Sequence, residues 1–278
     1  MFQVTSPIGR FPSDGLSQAL FQFLRCILVV ISFSSTLCSE ELAPKLTIEE
    51  LNPDLFVVTH AYPWPANSLV AIMENGEIVL VDVPYTPDAT DILLNWIDKK
   101  YGKRTITAIN THFHVDRLGG NAALVKRGIP IYGSELTAKA IKTRGDASLK
   151  LLLSWISDDS IKNYYRHFTY VPPTNLFDAK KGLVLTFGKD SVVVRFPGVG
   201  HSIDNLVVYF PAKKTIFGGC MILASDATKP GNVSDGDKDE WRKAMEVIDT
   251  AHCTIVIPGH GKPGGIGLIA HTKAILNQ

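Results

Sequence analysis

The chain has 278 residues, 45% hydrophobic and 20% charged, with 22 Gly and 16 Pro, a composition that excludes low-complexity and repeat classes. A formal net charge of +1 gives no basic footprint, so no nucleic-acid partner is expected. The length allows one large domain or two small ones.

In chain order, the first unusual stretch is Arg25 followed by "CILVVISFSSTLCSEE", a short apolar core, then small polar residues, then acids. That core is too short to span a bilayer, and its flanks read as a secretory signal. Residues 1–39 are assigned to the signal and 40–278 to the mature domain, with cleavage near Cys38 and Ser39. This implies a periplasmic protein with no membrane contact beyond export. Of the four cysteines, Cys220 and Cys253 then remain, and an oxidising compartment would allow them to pair.

"LFVVTHAY", "SLVAIMENGEIVLVDVPY" and "TITAINTHF" read as strands, with Asn75-Gly76 as a hairpin turn. "TPDATDILLNWIDKKYG" reads as a helix capped by Thr86 or Asp88 and stopped by Gly102. "NAALVKRG" and "SELTAKAIKTRG" read as further helices, and "LKLLLSWISDDSIKNYYRHF" as one long helical stretch whose Trp155, Tyr164 and Tyr165 either overhang a site or pack. "GLVLTFGKDSVVVRFPG", "NLVVYFPAKKTIFGG" and "TIVIPGHG" return to strands. "DKDEWRKAMEVIDTA" and "LIAHTKAILNQ" read as amphipathic helices. The order implies an α+β fold of two similar halves, each a sheet with helices on one face, packed as a four-layer αββα sandwich.

The chemistry concentrates at strand ends. In "NTHFHVDRLGGN", His112, His114 and Asp116 occupy alternate positions, which on an extended segment point the same way. His201, Cys220 and His260 each follow a β-rich run and a glycine, so each can sit on a loop at a sheet edge. His112, His114 and His201 make the three-imidazole set of a catalytic zinc, with one position left for water. Asp116, Cys220 and His260 make a mixed set whose thiolate favours zinc over magnesium or calcium. His60, His167, His252 and His271 lack this context and are assigned to structural or surface roles, and Cys253 to packing.

"THFHVDRLGGN", "GVGHSIDNLVVYFP", "FGGCMI", "GNVSDGD" and "IPGHGKPGG" resemble the metallo-β-lactamases over roughly residues 46–278. Arg117 after the aspartate, Cys220 as a ligand and His112 at the first histidine resemble the first subclass of class B enzymes. The resemblance implies two zinc ions per chain, one on His112, His114 and His201, the other on Asp116, Cys220 and His260. It implies hydrolysis of a small-molecule β-lactam by a zinc-bridging hydroxide, oriented by Asp116, with Asn232 helping to stabilise the oxyanion. It also implies an Arg117–Asp235 ion pair holding the Asp116 and Cys220 loops, with Asp82 either supporting them or capping the next turn. Gly119 and Gly120 allow close packing there. Leu223 departs from the pattern, standing where relatives have a lysine for the substrate carboxylate. Lys229 is either a substitute or a solvated loop residue, and Trp64 either a lid contact or part of a rigid turn. A monomer is expected.

Overall fold

Strict alternation along the strands sets the layers. The computed structural model describes residues 39–42, 45–248 and 252–278, all within one compact unit, Leu37–Gln278. The segment read as a signal lies outside the described residues, apart from Ser39.

The first half contains β1 (Ser39–Leu42), β2 (Leu46–Asn52), β3 (Leu55–His60), β4 (Ala66–Ile72), β5 (Ile78–Val81), α1 (Pro87–Tyr101), β6 (Ile106–Ile109) and α2 (Val115–Leu118). It continues with α3 (Asn121–Lys126), β7 (Ile131–Ser134), α4 (Glu135–Trp155), α5 (Asp159–Arg166) and β8 (Asn175–Phe177). The second half contains β9 (Leu183–Phe187), β10 (Asp190–Arg195), β11 (Val207–Phe210), β12 (Thr215–Gly219), α6 (Lys238–Val247), β13 (Ile255–Pro258) and α7 (Gly267–Leu276).

β1 to β8 form one sheet in sequence order, and β13-β12-β11-β10-β9 form the other. β5, β6, β7 and β8 run parallel, as do β12 and β13, so the loops after β5, β6, β12 and β13 can gather at one edge. Leu55, Val57, Val79, Val81 and Ile109 face Val192, Val194, Val208, Phe217 and Ile257 across the sheet-to-sheet core. Their neighbours Phe56, Val58, Ile78 and Leu80 point the other way, onto Leu93, Leu94 and Ile97 of α1. Val207, Ile216 and Val256 likewise meet Trp241, Met245 and Leu268 of α6 and α7. Each fully buried aliphatic side chain contributes about 1.5–3 kcal/mol. The result is the expected αββα sandwich.

Thr86 caps α1, its hydroxyl accepting from Ala89 N at 3.3 Å, and Gly102 ends the helix at φ +71°. The turn after β4 places Gly76 at φ +80°. Four expectations are revised. The halves are unequal, with eight strands against five. β1, β2, β7 and β8 were not expected: β1, β7 and β8 are short, and β2 carries charges on its half-buried face. α4 does not stop at Gly145 but runs to Trp155, because the Tyr170 ring packs on the face where a Cβ would sit. The stretch from 149 to 168 is two helices rather than one: the chain breaks at Ile156, and Asp158 caps α5 by accepting from Ser160 N and Ile161 N. The last residues of the expected helix over 237–251 lie outside the described residues.

Candidate metal centre

The segment after β6 is not extended. It bends through His112 and Phe113, and His114 then stands just before the short helix α2, with Asp116 in its first turn. The side chains converge because this bend and helical turn bring them round, rather than through strand alternation. His112 Nε2 and His201 Nε2 each lie 3.1 Å from His114 Nδ1. Donor atoms of His112, Asp116 and Cys220 also lie within 4.8 Å of one another. His260 Nε2 sits 3.1 Å from Asp116 Oδ2, and Cys220 Sγ is 3.7 Å from the same oxygen. All six expected donors therefore meet at one edge of the sandwich.

The Arg117 pairing differs from expectation. Its guanidinium is fully buried and donates through Nε and Nη2 to Asp116 Oδ2, at 2.9 and 2.6 Å. It also donates to Asn67 O at 2.8 Å and Gly259 O at 2.9 Å, and lies 3.5 Å from Asp82 Oδ2. Asp235 is not its partner. That carboxylate instead accepts from His114 Nε2 at 3.0 Å and pairs with Arg144 at 3.5 Å. Asp82 is buried at φ +56°, a left-handed conformation unfavourable for a residue with a Cβ. Thr111 holds it there, donating its N–H and hydroxyl to the two carboxylate oxygens at 2.7 Å each. Asp82 thus supports the site through Thr111 and Arg117. Gly120 leaves room where a Cβ would strike Thr90 and the Pro84 carbonyl, so the α2–α3 junction packs directly on α1 and the loop before it.

Burial and the neighbouring His114 hold His112 well below the usual imidazole range and His201 down at about 3. Both rings are therefore neutral and can offer lone pairs. Burial alone would push Asp116 up, but Arg117 and His260 outweigh it and keep that carboxyl well below its usual range. Three imidazoles beside a carboxylate, a thiol and a further imidazole fit a borderline-soft transition metal better than a hard cation.

Because Asp235 accepts from Nε2–H of His114, it leaves Nδ1 as the donor facing the other two rings. Asp235→Ala is expected to weaken metal affinity about ten- to a hundred-fold, the usual cost of losing such a partner. Competition against a chromophoric chelator measures this, and unchanged affinity would remove Asp235 from the site.

Five of the donors, His114, Asp116, His201, Cys220 and His260, form the floor of an open cavity of about 710 Å³, with His112 buried behind them. Trp64, Lys229, Asn232 and Leu223 all line it, as does Trp155 of α4. Asn232 Oδ1 accepts from Ser234 N at 3.0 Å and from its hydroxyl at 2.8 Å, which fixes the amide at the rim. Tyr165 is buried in packing, and Tyr164 is half exposed away from the cavity lining. Cys220 and Cys253 are not joined by a disulfide. Sequence reasoning missed Asn67, Thr111 and Arg144. Asn67 donates to Pro258 O at 2.9 Å and Gly261 O at 2.7 Å, tying the first sheet to the His260 loop. Thr111 was findable as a hydroxyl directly before the first histidine, whereas Arg144 carries no local signal.

Two mixed sheets between helical layers, with six metal-type donors at one edge, define a metal-site αββα protein. Residues 61–260 match the family described as the metallo-beta-lactamase superfamily, and the chain belongs to it. A Metallo-beta-lactamase type 2 of Bacillus sp. (strain 170) is 33% identical over 238 residues, 83% of this chain and 82% of the relative. One from Bacteroides fragilis is 31% identical over 218 residues, 77% of this chain and 76% of the relative. Among solved structures, a metallo-beta-lactamase from Pontibacter korlensis superposes with a TM-score of 0.70 at 27% identity, covering 84% of this chain and 99% of that one.

Proposed function

We propose that the chain is a zinc-dependent β-lactamase that opens the β-lactam ring by adding water across its amide bond. Hydroxyl goes to the carbonyl carbon and hydrogen to the nitrogen. The observation that carries this reading is the convergence of two donor groups on the floor of one open cavity. His112, His114 and His201 would hold one zinc ion, and Asp116, Cys220 and His260 a second. When bound, the ions supply Lewis acidity, making water nucleophilic near neutral pH and offsetting negative charge as the amide breaks.

The chain's own residues do the positioning. Asp116, kept ionised by Arg117 and His260, accepts a hydrogen bond from the attacking water and aims it. With Oδ1 of Asn232 engaged by Ser234, its amide N–H groups remain to donate to the carbonyl oxygen as charge develops. Lys229 is the lysine that lines the cavity, and Trp64 offers apolar surface at the rim. The protein is read as exported to the periplasm and monomeric.

The test is hydrolysis of a chromogenic cephalosporin and a carbapenem by the purified protein, with zinc, after chelation and after zinc is restored. Turnover that disappears and returns with zinc supports the proposal. Two bound zinc ions without turnover would point instead to metal storage, or to a lactone or thioester as substrate. Leu223→Lys adds the cation that relatives carry and is expected to lower KM for carboxylate-bearing β-lactams about ten-fold, the worth of one charge-assisted contact. An unchanged KM would show that Lys229 already fills that role.

A further inference from the structure

Of the four tryptophans, Trp241 and Trp96 are buried, at 0% and 7% exposure, while Trp64 and Trp155 stand 40% and 48% exposed. Both exposed rings line the cavity above the metal donors. They meet edge to face, with centroids 6.3 Å apart and planes at 74°, so together they form a right-angled aromatic corner. Leu149 and Leu152, on the same helix as Trp155, continue that wall, and the α4 residues lining the cavity include no charged side chain.

The corner is built in advance. The Tyr62 side chain, two residues before Trp64, lies beside Asp158, the residue that caps α5 three positions beyond Trp155. Lys45 Nζ sits over the Tyr62 ring, 3.9 Å from its centroid. The loop carrying Trp64 thus lies against the turn between α4 and α5. A bound aromatic group meets rings already in place, with little ordering cost.

On the β-lactamase reading above, we propose that Trp155 is a specificity-determining residue that contacts substrate. With Trp64 it takes an uncharged aromatic acyl group on the β-lactam nucleus. The part of the lining that carries Lys229 and Asn232 is left for the carboxylate end. A ring laid into the corner stacks on one indole and meets the other at its edge, the two arrangements aromatic rings prefer. A charged acyl group would find no partner on the α4 side.

Two penicillins with one nucleus, bearing a phenylacetyl or an acetyl group, test this in the zinc-loaded enzyme. Trp155→Ala is expected to raise KM for the phenylacetyl compound roughly five- to ten-fold, from the lost ring contact, with kcat unchanged. The acetyl compound should keep its KM, and Trp155→Phe should recover most of the loss. Equal shifts for both compounds, or none for either, would overturn the proposal. Should the wild type hydrolyse neither, the functional reading fails, and tryptophan-fluorescence titration with the two intact compounds decides this inference alone. Tighter binding of the phenylacetyl compound that is lost in Trp155→Ala, with Trp64 as reporter, would sustain it; no preference would end it.

Discussion

Arg117→Ala is expected to destabilise the protein by about 3–5 kcal/mol, the cost of removing one partner from a buried ion pair. The guanidinium is fully buried and is the cation shared by Asp116 and Asp82. Without it, two buried carboxylates repel each other, and the carbonyls of Asn67 and Gly259 each lose one donor. In a chain of this size the melting temperature should fall by about 10 °C. Arg117→Lys should rescue little, since an ammonium cannot reproduce the fork of donors. Adding Asp82→Asn to Arg117→Ala should restore part of the loss, because one stranded charge is then gone. A loss below about 1 kcal/mol would contradict the buried-charge argument.

Acidification from pH 6.5 towards 4 is the second large effect, and it rests on His60. That ring is 6% exposed and accepts the Tyr85 N–H at Nδ1. Burial, assisted by the Lys45 charge, lowers its pKa to about 4. Between the unfolded value of 6.5 and the folded value of about 4, the unfolded chain binds a proton that the folded chain refuses. Stability attributable to His60 is therefore intact above 6.5, falls as pH drops through that window, and levels off near 4. The slope is about 1.4 kcal/mol per pH unit, summing to about 3 kcal/mol. His112 and His201 slope the same way, while Asp82, pushed up to about 7 by burial, slopes the opposite way. The measurement is therefore a difference. In urea unfolding across the window, His60→Asn, which keeps an acceptor but does not titrate, should lose about one proton's slope relative to the parent. Parallel pH profiles would contradict the assignment.

The sandwich and the six donors were legible because their signals are local. Alternating apolar residues mark the two faces of each strand, and each donor follows a β-rich run at a turn. What escaped depends on distant partners. Gly145 reads as a helix stop until the Tyr170 ring is seen packed against it. Asp235 was the expected partner of Arg117, and nothing local says that it turns to His114 and Arg144 instead. The break at Ile156, which lets Trp155 line the cavity, is set by the Asp158 cap more than by any loss of apolar periodicity.

His112, His114 and Asp116 hang from the first sheet, whereas His201, Cys220 and His260 hang from the second. Ions bound among them would rivet the two halves across the core. Anything that binds only the folded chain adds to its stability by mass action, and opened chains are what proteases cut. Metal scarcity would then shorten the protein's lifetime as well as slow its turnover, so that its abundance would track the zinc supply.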